Sequence, residues 1–127
     1  MKISCRDQVV DLLKILGNHN FFVTGIDDGG HLHLGGNKNS ELGFEHMLES
    51  EVIDVCLSVD ECKVYVIDGD NLCPTWLYLV WGNDPGELVC DYMIPKDLSS
   101  KTKLDKATSE YFDYYDIIES DYGDSIV

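Results

Sequence analysis

The sequence predicts an α+β domain: a largely antiparallel sheet, made of an N-terminal hairpin and a four-strand meander, packed by two or three helices. Apolar residues recur at helical spacing near both ends of the chain and alternate with polar ones through the middle. Gly, Pro and Asp-rich turns divide the alternating runs at hairpin spacing, so the order helix, hairpin, helix, meander, helix is that of an α+β protein.

Ser4 is placed to cap a first helix. Val9, Leu12, Leu13 and Leu16 then follow at helical spacing and Gly17 supplies the stop, which predicts a helix from about Cys5 to Leu16. FFVTGI and HLHLG read as hairpin strands around a four-residue loop, Asp27 to Gly30, pairing Ile26 with His31 and Val23 with Leu34. That register sets Phe21, Val23, Leu32 and Leu34 on one face, and Phe22, Thr24, Ile26, His31 and His33 on the other. A short helix from about Glu41 to Glu49 is expected to bury Phe44, Met47 and Leu48.

The meander begins where Ile53, Val55, Leu57 and Val59 alternate with Asp54, Cys56 and Ser58. A tight turn at Asp60 and Glu61 returns the chain through Cys62, Val64 and Val66. PTWLYLVW is apolar on both faces, as in a central strand. Asp84, Pro85, Gly86 and Glu87 have the order of a type II turn, and ELVCDYMI comes back antiparallel, pairing Trp81 with Leu88 and Leu79 with Cys90. Leu104, Thr108, Tyr111, Tyr115, Ile118 and Tyr122 form one stripe of a last helix.

A chain of 127 residues suffices for one core, so residues 1–127 are expected to fold as a single compact domain with a frayed tail at 123–127. Twenty-four acidic residues against nine basic ones give a net charge of −15, which disfavours direct binding of nucleic acid or anionic membrane. Arg6 is the one guanidinium. The five cysteines are odd in number and lack C-x-x-C spacing, so they read as free thiols. With charges throughout its first residues and no long apolar run, the chain is expected to be cytoplasmic.

His31 and His33, two apart on an expected strand, would point the same way and could hold a metal for hydrolysis, with Asp27 or Asp28 beside them. Cys5 lies where a helix N-terminus could activate a thiol. No motif names a catalytic residue or a cofactor: Gly29-Gly30 and Gly35-Gly36 read as turn glycines, and Asp68-Gly69-Asp70-Asn71 as a connecting turn rather than a calcium loop. Trp76, Tyr78 and Trp81 could line an aromatic pocket for a small ligand.

The strongest bias lies at the carboxyl end. Between Glu110 and Asp124 there are six acids and no base, with aromatic residues interleaved. As a helix this segment would project Asp105, Asp113, Asp116 and Glu119 on one side while Tyr111, Tyr115 and Ile118 face the core, and Glu110, Asp113, Asp116 and Glu119 are the candidate partner-binding residues. The reading that follows is an acidic protein-binding or inhibitor module, a decoy for a basic or nucleic-acid-binding protein, rather than an enzyme. In size and charge alone the chain resembles the small acidic proteins of phage and mobile-element genes. A pocketed ligand-binding module and a metal-dependent hydrolase are the alternatives. The edge strands of a meander also favour a homodimer.

Overall fold

The computed structural model describes residues 5–39, 44–70, 72–81, 89–94, 101–115 and 118–119. The elements are α1 (Cys5–Asn18), β1 (Phe21–Asp27), β2 (Leu32–Leu34), β3 (Asn37–Asn39), β4 (Phe44–His46), α2 (Glu49–Cys56), β5 (Glu61–Asp68), β6 (Cys73–Trp81), β7 (Val89–Met93), α3 (Lys101–Tyr114) and β8 (Ile118–Glu119). Six strands form one sheet in the order β2-β1-β5-β6-β7-β8, while β3 and β4 pair separately. Every pairing is antiparallel except β7 with β8. The fold is thus α+β, an antiparallel sheet with three packed helices.

The helices share one face of the sheet because their apolar stripes match its alternation. Val9, Leu12 and Leu16 of α1, Val52 and Ile53 of α2, and Leu104, Tyr111 and Phe112 of α3 are buried with Val64, Val66, Leu77, Leu79 and Trp81. Polar groups tie this layer down. Gln8 is 1 % exposed; its side-chain oxygen accepts the Val89 N–H at 2.7 Å and its carbonyl accepts the Tyr111 hydroxyl at 2.9 Å. Tyr92 stacks on Phe112 with ring centroids 3.6 Å apart.

The hairpin register differs from the one expected. Ile26 pairs with His33 and Gly25 with Leu34, and the turn closes where the Asp28 N–H donates to the His31 carbonyl. On its other side β1 carries a bulge: Val23 pairs with Val66 but Gly25 with Tyr65, leaving Thr24 as the extra residue. One inserted residue reverses the alternation, so Phe21, Val23 and Ile26 all face the helices. Leu32 and Leu34 therefore lie on the opposite, open face, 48 % and 69 % exposed.

The middle of the chain is also rearranged. Where a helix over 41–49 and a strand over 53–59 were expected, β4 precedes α2, which covers Glu49–Cys56. Val52, Ile53 and Cys56 fit one side of a helix as well as a strand pattern, and a short apolar run cannot decide between them. The Leu48 N–H donating to Glu51 at 2.9 Å closes the first turn of the helix. The place of the lost strand beside β5 is taken by β1. Gly35 allows the β3–β4 hairpin to close on β1, because a Cβ there would stand 2.1 Å from the His46 backbone.

At the far end of the sheet, Trp81 pairs with Val89 and Leu79 with Tyr92 across a second bulge, in place of Leu88 and Cys90. The last helix stops at Tyr114, and Ile118–Glu119 pairs with β7 as a strand. Residues 123–127 lie outside the described residues.

Candidate functional site

The open face ends in an acidic hollow built by three strands. β1 finishes at Asp27, which lies opposite Lys63 of β5, and Lys63 lies opposite Tyr78 of β6. Together with Asp28, Gly29, Glu61 and Cys62 these residues line a hollow of about 250 Å3.

The turn fixes its carboxylates. Asp28 Oδ1 accepts the N–H groups of Gly30 at 3.0 Å and His31 at 2.8 Å, while Oδ2 lies 2.9 Å from His33 Nε2. His33 and then the Gly30 N–H hold the Asp28 carboxyl down at about 2. Asp27 Oδ1 accepts the Gly29 N–H at 2.9 Å, and Gly29 has a φ of 97°, a conformation that suits glycine. Local Asx geometry of this kind holds the two side chains in place.

Across the hollow, burial first and then the charge and hydrogen bond of Glu61 push the Tyr78 hydroxyl up to about 12. Tyr78 therefore stays a neutral phenol. Lys63 is only 8 % exposed, with its ammonium 4.8 Å from the Trp76 ring centre and 5.2 Å from that of Tyr65. The Cys62 thiol is driven strongly upward by its hydrogen bond with Cys56 and by burial, so it is no nucleophile at neutral pH. Fixed carboxylates beside a phenol can hold a cation.

The residues singled out in the sequence do not gather into one site. His31 lies in the turn rather than on a strand. Its ring meets that of His33 edge-on at 4.6 Å, and His33 turns to Asp28. Among the described residues, no three His, Cys, Asp or Glu side chains are grouped to hold a metal ion. Trp76 and Tyr78 lie on the open face, but Trp81 is 1 % exposed among the core residues on the helix side, so the three do not line one cleft.

The acidic carboxyl-terminal flank does not form as expected. Glu110 is 3.0 Å from His19, in the turn after α1, Asp113 is exposed, Glu119 belongs to β8, and Asp116 lies outside the described residues. Cys56, Cys62 and Cys73 are not in disulfides. Asp68, Gly69 and Asp70 do form the expected turn, tied down by Lys103. Among the described residues no helix is long and apolar enough to cross a membrane.

The acidic hollow was missed because it depends on the β1–β5 pairing. Asp27-Asp28 and Asp60-Glu61 are each visible in sequence as acidic turns, and only that pairing brings Asp27, Asp28 and Glu61 together. No known protein family model, curated protein or solved structure matches the chain.

Proposed function

We propose that the chain is a binding module, not an enzyme, and that it uses its negative charge to hold a basic protein. The observation that carries this reading is the hollow lined by Asp27, Asp28 and Glu61 at one end of the sheet, in which backbone N–H groups fix the carboxylates of Asp27 and Asp28. A net charge of −15 opposes folding by self-repulsion and favours fast, salt-sensitive encounter with a positive surface. A carboxylate pre-set by backbone N–H groups gives up little freedom when a lysine or arginine arrives. A partner whose basic surface otherwise binds nucleic acid would be blocked by such an occupant.

The test is retention of the full chain on immobilised basic proteins, cytochrome c and a histone, at low and at high salt. Binding at low salt that is lost at high salt supports the reading. Absence of retention on every basic surface at low salt overturns it.

A further inference from the structure

The acidic hollow is one half of a larger surface. On the open face of the sheet, the register sets Leu32, Asp27, Lys63 and Tyr78 in one row and Leu34, Gly25, Tyr65 and Trp76 in the next. The second row borders a hollow of about 280 Å3 lined by Leu32, Leu34, Gly25, Tyr65 and Pro74, among others. Gly25 adds no side chain of its own to this hollow, and Leu34 Cδ2 reaches to 3.1 Å from where a Cβ would stand. Scattered surface leucines are ordinary, but two on one edge strand beside Tyr65 and Trp76 make a contiguous apolar strip.

We infer that this face is a docking surface for an extended segment of a basic protein in which an arginine or lysine stands two residues from a bulky apolar side chain. The inference rests on the binding reading above and names where and what the partner touches. Neighbouring rows are two residues apart along a strand, about 7 Å, so alternate side chains of an extended segment reach the acidic and the apolar hollow together. Charge decides between a foreign partner and a second copy. Two copies would set Asp27, Asp28 and Glu61 against a chain that also carries −15. Among the described residues lining the two hollows the only cation is Lys63, which is 8 % exposed and turned onto Tyr65 and Trp76. Self-pairing is therefore repulsive here, whereas a basic segment is attracted.

The experiment titrates the full chain with two synthetic peptides of equal charge, one repeating Arg-Ser-Leu and one repeating Arg-Ser-Ser. It follows the methyl resonances of Leu32 and Leu34 and the indole of Trp76. The expected result is tighter binding of the leucine peptide, shifts at all three residues, and at least about a tenfold loss on Leu34→Ser that the serine peptide does not show. Leu32→Ser serves as the second variant. Equal binding of both peptides, untouched by either variant, overturns the docking surface and leaves the charge reading standing; binding of neither peptide overturns both. A concentration-dependent doubling of mass that Leu34→Ser abolishes also overturns it, because a second copy then occupies the face.

Discussion

The ammonium of Lys103 lies 2.6 Å from Oδ1 of Asp68, a residue with 0 % of its surface exposed, and 2.7 Å from Oδ2 of Asp70. The pair fastens α3 to the β5–β6 turn, which is also held where the Gly69 N–H donates to the Asn20 carbonyl at 2.8 Å. Burial disfavours the Lys103 charge, but the two carboxylates outweigh it and its pKa is raised. Lys103→Met leaves a buried carboxylate without its cation and is expected to cost about 3 kcal/mol. Adding Asp68→Asn should recover part of that loss. Urea denaturation of the two variants checks this, and a single-variant cost below about 1 kcal/mol would contradict the account.

Thr75 makes the opposite case. Its hydroxyl oxygen is buried, in a residue 4 % exposed, and has no hydrogen-bond partner among the described residues. Thr75→Val keeps the shape and removes the orphan, so stability should rise by about 1 kcal/mol. A destabilised variant would mean that the hydroxyl has a partner.

Stability should fall at both ends of the pH scale. Asp28 has its carboxyl lowered from 3.8 to about 2, and Asp70 is lowered by Lys103 and Asn20. Both contribute stability above the ordinary value that is lost as pH falls through the folded one. At the alkaline end, Tyr78 is raised from 10.0 to about 12, and Cys62 is raised from 9.0. Their neutral forms stabilise the fold below those ordinary values, and that contribution is lost as pH rises from 9.0 toward 12. Denaturation midpoints measured across pH check this. Asp28→Asn should flatten the acid limb far more than the alkaline limb, where the Asp28 charge is a minor cause of the raised Cys62 thiol, and an acid limb unaltered by that variant would count against the assignment.

Much of the fold is legible where local signals agree. The α1 stripe, the alternation of β5 and the strand character of β6 follow from residues within a turn of one another, although α1 runs through Gly17, the expected stop, to Asn18, and β6 buries only alternate residues. What sequence reading missed depends on long-range choices. The Thr24 bulge turns Ile26 inward and Leu34 outward, and nothing in FFVTGID marks Thr24 as the inserted residue. The stripe through Tyr111, Tyr115 and Ile118 fits a continuous helix, yet Tyr115 instead packs at its end with its hydroxyl 2.5 Å from Asp11, and Ile118 joins the sheet. The acidic hollow shares this limit, since its carboxylates come from two turns separated by more than thirty residues.

The most direct test compares two places where acid could act. Asp27→Asn with Glu61→Gln removes charge from the sheet end and keeps the Asp27 oxygen that accepts the Gly29 N–H. Glu110→Gln with Asp113→Asn removes the same charge from α3. Binding of both double variants to immobilised cytochrome c at low salt should fall about tenfold or more for the first and less than about twofold for the second. The reverse order, or equal losses from both, would contradict the claim that the sheet end holds the basic partner.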